Sequence, residues 1–514
     1  MVLLGIDIGT SGCKVTAIDE RGRILDEGFG EYETAHPHPG WAEQDPGDWC
    51  RTVRAILANM RQRGDIDFAD IGSIALDGST HNAVLLDGQM NVVRPTIMWT
   101  DQRAVAESAE LNAQHGDTIF ATAFQMAAPT WTLPQMLWLQ LREPEALRRT
   151  SHMMFVKDYV RWRLTGEWCT DTIEAQGTLF FDMANKQWSE ELCGLADIST
   201  DILPPLVSPT DVVGKVTAAA AAEFGLPEGT PVVCGCSDSA VEGYAAGAIE
   251  PGSCILKLAT AGNVNVMTDR PVPHPRTLTY SHVVPDMWYT VVATNTAARA
   301  QRWFRDHFCA EELAESARDG RSVYAIMDDE AAQSPPGADG LFFHPYLQGE
   351  RAPYWDPQLR ASFVGATMRH NRPDFIRALL EGVVFSLRDC FRTIEEMGLP
   401  VTEFRLIGGG AKSALWTQIV ADVFDRDIIV PQGCDASFGS ALLAGVGTGV
   451  FDDERAAVRQ CLTEREPVSP NPDNQAHYAK LTPLYYRIHD LLADVYHDLG
   501  DLRGQGQSPP PNDR

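Results

Sequence analysis

Apolar positions open the chain in two short runs, Val2, Leu3, Leu4, Ile6 and Ile8, then Val15, Ala17 and Ile18, parted by "GTSG". Short apolar runs bounded by turn residues predict two strands joined as a hairpin. "DERG", Asp19 to Gly22, then turns the second strand into a third, which ends near residue 35. Val53, Ile56, Leu57 and Met60 recur at helical spacing, with Asp45 and Pro46 as cap and first turn and Gly64 as the stop. "IGSIALDGSTHNAVLLD" predicts two strands around a Gly-Ser-Thr-His-Asn turn. "VVRPTIMWTDQRA" predicts a strand entering a helix, with Trp99, Asp101 and Arg103 at its mouth. Strands alternating with helices predict an α/β protein.

Midway, "TPVVCGCSDSAVEGYAAGAIEPGSCILKLATAGNVNVM" predicts a strand, a small-residue turn carrying Asp238, an Ala/Gly-rich helix and a fresh hairpin. "ILKLATAGNVNVM" repeats the plan of "LLGIDIGTSGCKV": apolar strand, Thr and Gly at the turn, apolar strand. An internal repeat accounts for this most simply. Two such halves, each opening on a phosphate-cradling hairpin, would form a cleft holding one polyphosphate. Further on, a helix from about Pro373 presents Ile376, Leu379, Leu380, Val383 and Leu387 on one face. The strand "EFRLIG" then runs into "GGGAKSALWTQIVADVF". Gly408, Gly409 and Gly410 leave room for a flat ligand, and with Ala411 and Lys412 ahead of a helix they read as the nucleoside end of a site. Tight backbone packing explains such a turn equally well.

Composition narrows the class. A chain of 514 residues is too long for one core and predicts two large domains. A formal net charge of −28 opposes binding to nucleic acid or to anionic membrane. The 11 cysteines are scattered, and Cys234 and Cys236 have no second pair at zinc spacing, so they read as reduced thiols in a cytoplasmic protein. The chain opens directly on a strand, without the regions of a signal peptide, and no apolar run is long enough for a bilayer. "GQGQSPPPNDR" at the end is expected to be disordered.

The first hairpin carries candidate chemistry. Gly9 and Gly12 let backbone N–H groups converge, Thr10 and Ser11 add hydroxyls, and Lys14 adds charge: an anion site. Asp7, in mid-strand beside it, is repelled unless a cation intervenes, and Mg²⁺ with phosphate is the usual pair. A plain hairpin with a satisfied aspartate remains the alternative, as a helix N-cap does for Asp238.

Across residues 3 to 490 the chain resembles the FGGY carbohydrate kinases, and within them the xylulokinases. "GIDIGTSGCK", "GWAEQDPGDW", "KDYVRWRLTGEWCTD", "YLQGERAPYWDP" and "GGGAKSALWTQIVADVF" carry the likeness. It implies two duplicated ribonuclease H-like domains of the actin, Hsp70 and hexokinase type around a central cleft. The first, residues 1–248, would bind sugar and phosphate, and the second, 249–490, adenine nucleotide, with 491–514 a tail. It implies ATP and Mg²⁺ as cofactors, the metal held by Asp7 and Asp238 directly or through water. Phosphate would be met by Gly9, Thr10, Ser11 and Lys14 and, in the second loop, by Thr260 and Gly262. Asp238 in "CSDSA" would be the base that takes the sugar hydroxyl proton. Ser79, Thr80 and His81 of "GSTHN", with Trp99, Asp101, Arg103, Asp238 and Ser239, would hold the sugar.

Departures from the family pattern bear on that pocket: Ser239 stands for Asn beside the base, Ala259 and Ala261 stand in the second loop, and Gln135 replaces a lysine. The implied activity is phosphoryl transfer to a terminal hydroxyl, D-xylulose at O5 first, with another ketopentose, a tetritol or glycerol as alternatives. A non-catalytic nucleotide switch on the same fold is the reading from another class. A Rossmann dehydrogenase fails, because "GGGAKS" lacks the G-x-G-x-x-G order. Expected partners are the sugar or polyol and ATP, with no nucleic acid or membrane, and a homodimer as the assembly.

Overall fold

The opening meander forms where its apolar pattern predicts. In the computed structural model, which describes residues 1–504, β1 (Val2–Ile8) pairs antiparallel with β2 (Gly12–Ile18), and β2 with β3 (Ile24–Glu31). α1 (Pro46–Arg63) starts on Asp45, whose side chain accepts from the Gly47 N–H, and stops on Gly64 at φ 75°. β4 (Ile71–Gly78) lies parallel to β1. α2 (Val156–Thr165), β5 (Val212–Lys215) and β6 (Pro231–Val233) follow, with β6 parallel to β4 and β5 antiparallel to β6. The strand order is β5-β6-β4-β1-β2-β3. Ile6 and Ile8 of β1 join Trp49, Val53 and Leu57 of α1 and Val160 and Leu164 of α2 in one core. Burying each such side chain contributes about 1.5–3 kcal/mol. α3 (Asp238–Ala245) leaves the end of β6 after a short turn.

Both strands expected around the Gly-Ser-Thr-His-Asn turn form, β4 and Val84–Leu86, and the second pairs with His152–Met154. Residues 79–82 therefore carry the chain off the sheet.

The second half repeats the plan. β7 (Ser253–Leu258) and β8 (Gly262–Thr268) form an antiparallel hairpin. β9 (Trp288–Ala293), α4 (Ala298–Phe308), α5 (Arg372–Glu396), β10 (Glu403–Ile407), α6 (Ala414–Phe424) and β11 (Ile428–Ile429) complete it. β10 is parallel to β7 and β11 to β10. Within its six-stranded sheet the run β9-β8-β7-β10-β11 matches the run β3-β2-β1-β4-β6 of the first sheet. Its core gathers Val383 and Leu387 of α5, Leu406 of β10 and Trp416 and Ile419 of α6.

α7 (Ala436–Gly447) then returns to the first sheet. It lies so close to β1 that a Cβ on Gly5 would stand 1.8 Å from the Ser437 carbonyl oxygen. Thr16 Oγ1 and Ser437 Oγ share a hydrogen bond of 2.7 Å, and Ser73 Oγ donates to the Ala444 carbonyl at 3.0 Å. The first compact unit is therefore Met1–Ile249 with Asp269–Tyr289 and Gln432–Thr463, and the second is Glu250–Thr268, Thr290–Pro431 and the chain from Glu464 onward. A cut between residues 248 and 249 does not separate them, because a helix from late in the sequence covers the first sheet. Nor is residue 491 the start of a tail: the helix Pro472–Gly504 runs through it. Residues 505–514, where disorder is expected, lie outside the described residues. Among the described residues no helix is long and apolar enough to cross a membrane.

Candidate functional site

Three carboxylates meet where the parallel strands of the first unit end. Asp7 on β1 and Asp77 on β4 are register partners, so their side chains leave the same face of the sheet. One residue on, Gly78 bridges Ser237, which places Asp238 at the first turn of α3 beside them. Asp77 is fully buried; its Oδ2 accepts from Ser440 Oγ on α7 at 2.6 Å. Asp7 Oδ1 and Asp77 Oδ1 are buried with no N–H or hydroxyl donor. Burial and then the nearby Asp238 raise the Asp7 carboxyl to about 7. Burial and the Asp7 charge push Asp77 well above the carboxylate range. Like charges this close in a poorly solvated site hold a proton between them or call for a cation.

A divalent cation fits that donor set. Among the described residues no three carboxylate, thiol or imidazole groups are gathered to hold a metal alone. Mg²⁺ does not require it, since one or two carboxylates, waters and substrate phosphates are its usual shell.

The turn after β1 differs in detail from the anion cradle expected of it. Gly9 and Gly12 are absent from the left-handed backbone region. They are small for want of space: a Cβ on Gly12 would lie 2.6 Å from the Gly30 carbonyl oxygen. The Gly9 N–H donates to the Gly12 carbonyl at 3.0 Å. The Tyr32 hydroxyl donates to the carbonyls of Gly9 and Gly12, and Gln44 Nε2 to that of Thr10 at 2.7 Å. This leaves Thr10 and Ser11 at the tip. Lys14 is engaged elsewhere, with Asp435 at 2.6 Å and with Glu27; its charge braces the N-cap of α7, whose Phe438 N–H donates to Asp435.

Residues expected to hold a sugar divide into two groups. Thr80, Trp99, Asp238 and Ser239 face open space in part. Trp99 is 38% exposed and its Nε1 donates to Thr10 Oγ1 at 2.9 Å, tying this wall to the first turn. Thr80 Oγ1 donates to Asp238 Oδ1 at 3.2 Å, and the Ser239 N–H to the same oxygen at 2.6 Å. The other group is internal. Ser79 Oγ accepts from Asn82 Nδ2 at 2.9 Å. Asp101 accepts from the Ala42 and Arg103 N–H groups and from the Arg103 guanidinium, which also bonds Glu43 at 2.8 Å. The Arg103 side chain is fully buried, its guanidinium 3.7 Å from the Trp41 ring centre and 5.1 Å from that of Trp138. His81, in the left-handed region at φ 54°, packs its ring 4.7 Å from Trp131. Burial lowers its pKa to about 3, so the imidazole is neutral.

In the second unit the carbonyls of Ala259 and Thr260 accept from the N–H groups of Ala298 and Ala297, at 2.7 and 3.0 Å, at the start of α4. The Gly262 N–H is held by Thr294 Oγ1 at 3.1 Å. Of the three consecutive glycines, Gly408 sits at φ 90° and a Cβ there would meet the Leu258 carbonyl oxygen at 2.6 Å. A Cβ on Gly410 would meet Leu258 Cβ at 2.6 Å, while Gly409 has nothing within 4 Å. Packing thus accounts for two of the glycines and leaves one facing open space. Ala411 is buried and Lys412 exposed, and α6 begins only after Ser413, its N-cap.

Several neighbours are not singled out by the sequence reading. Asp77 carries the same sign as Asp7, a carboxylate within an apolar run, and was there to be read. Glu174 accepts from the His81 N–H at 2.5 Å, and burial raises its own pKa well above the usual range. Tyr280 stands 6.4 Å from Trp131 and stacks at 5.4 Å on Tyr289. These partners come from distant sequence and have no local signal.

Comparison with known proteins agrees with this arrangement. The model of the FGGY family of carbohydrate kinases, N-terminal domain, matches residues 2–243, and that of the C-terminal domain matches 256–448. A xylulose kinase of Bacillus subtilis is 32% identical over 504 residues, 98% of this chain and 99% of that protein. A gluconokinase of the same organism is 28% identical over 505 residues, 98% of each. The crystal structure of xylulose kinase from Rhodospirillum rubrum superposes with a TM-score of 0.87 at 29% identity, over 97% of this chain and 100% of that one.

Proposed function

The chain belongs to the FGGY family of carbohydrate kinases and is a sugar kinase, and on that premise we propose that it transfers the γ-phosphoryl group of MgATP to O5 of D-xylulose. The observation that carries the reading is the convergence of Asp7, Asp77 and Asp238 at one edge of one sheet, with an exposed aromatic wall tied to the same turn.

Asp238 acts as the general base. Two donors, the Thr80 hydroxyl and the Ser239 N–H, fix one of its oxygens. A carboxylate so positioned takes the proton of the attacking hydroxyl, which contributes on the order of 10²–10⁴ in rate. Asp7 would hold Mg²⁺, which when bound would supply positive charge to offset that of the phosphate oxygens. Thr10 and Ser11 at the turn tip meet phosphate, and Lys14 keeps the tip and α7 in register rather than touching it. Trp99 supplies the flat wall for the sugar carbons, with Thr80, His81 and Ser239 as polar partners. Ser79, Asp101 and Arg103 hold that wall in place. In the second unit Thr260 and Gly409 suit the nucleotide best, since Gly262, Gly408 and Gly410 are committed to packing.

A neutral ketose suits this pocket better than the aldonate named for some relatives. The Arg103 cation is already balanced by Asp101 and Glu43, and His81 is uncharged. A sugar carboxylate would enter beside the Asp238 carboxylate and be repelled by it, which a neutral ketose avoids. An ADP-release assay across D-xylulose, other ketopentoses, tetritols, glycerol and gluconate tests this, with the highest kcat/KM expected for D-xylulose. Preference for gluconate or glycerol by tenfold or more would overturn the substrate. Asp238→Ala is expected to lower kcat by about 10²–10⁴-fold with ATP affinity unchanged; near-normal turnover would remove it as base.

A further inference from the structure

Asp77 is not demanded by the strand plan. The repeat places Ile407 at its position on β10, in register with Lys257 on β7, and an apolar side chain would suit a strand end with no exposure. Instead a carboxylate is buried there. Ser440 orients it through Oδ2 at 2.6 Å, while Oδ1 has no donor. Its register partner Asp7 has an equally bare Oδ1. Gly9 keeps the space above that oxygen clear, for a Cβ there would lie 3.6 Å from it. Lys14, the partner of Asp7 on β2, carries its amine to Glu27 and Asp435. Two adjacent buried carboxyl oxygens that receive no N–H or hydroxyl donor from the rest of the protein either share a proton between them or are held together by a cation that faces both.

We propose that Asp77 is a second carboxylate for the divalent cation, facing it together with Asp7 and aimed by Ser440 of α7. This rests on Asp7 holding that cation. Asp77 then acts on affinity for the metal, and α7 becomes part of the metal's support although it touches neither substrate.

Mn²⁺ is the probe, its free concentration followed by electron paramagnetic resonance with the full chain and ADP. Asp77→Asn and the smaller Asp77→Ser are expected to weaken Mn²⁺ binding by about tenfold or more, while ADP affinity without any divalent ion stays as in the native protein. Removing one of two crowded buried carboxyls should also raise the melting temperature of the metal-free protein and shrink its increase on adding Mn²⁺. A purely structural Asp77 would give the opposite, lower melting with Mn²⁺ affinity intact, and that result overturns the proposal. Asp7→Asn separates the two readings. Loss of Mn²⁺ there with native affinity in both Asp77 variants rejects Asp77 alone; native affinity in all three rejects Asp7 as well.

Discussion

Arg103, expected to touch the sugar, is engaged within the protein. Its guanidinium lies between two tryptophans and bonds two carboxylates, with no exposure. Removing one member of a buried charge set costs about 3–5 kcal/mol, because the others are left unpaired. Arg103→Ala should therefore lower the urea midpoint steeply. Native stability with only a raised sugar KM would place Arg103 on the substrate instead. Asp7 is the opposite case, a mid-strand carboxylate whose oddity in the sequence survives in the fold. Its carboxyl titrates near 7 in the folded protein against about 4 when unfolded. The folded state thus binds the extra proton over that interval, and this group makes stability fall as pH rises from about 4 to 7 in metal-free buffer. Asp7→Asn should abolish that share, so the melting-temperature gap between variant and native protein widens over the same interval; a constant gap would refute the shift. Asp7 and Asp238 were legible because each breaks a local pattern. Glu174 was not, since its bond to residue 81 is made across 93 positions.

Elements were more legible than their neighbours. α1 could be placed to the residue, because cap, apolar stripe and stop all lie within its own sequence. The turn before α6 could not, since a glycine needed for ligand access and one needed for backbone approach look alike on the page. The structure separates them. Gly408→Ala puts a side chain at φ 90° against a carbonyl and should cost about 1–3 kcal/mol. Gly409→Ala meets nothing and should melt as the native protein does. If nucleotide lies over Gly409, that silent change raises the ATP KM by about tenfold, equivalent to 1.4 kcal/mol. An unchanged KM would move the nucleoside elsewhere.

At the level of the whole chain, the repeat was visible in two hairpin sequences and recurs as one strand order in both units. The acidic balance that set nucleic acid aside belongs to this scale too. What the linear order hid is that the first sheet receives its last helix from beyond residue 435. Gly5, Thr16, Ser73 and Asp77 all await that helix. A growing chain emerging from the ribosome therefore holds an unfinished first lobe, one face bare, through most of translation. Its closure is deferred until most of the second lobe has been made, so half the protein expressed alone is an incomplete piece and a target for chaperones.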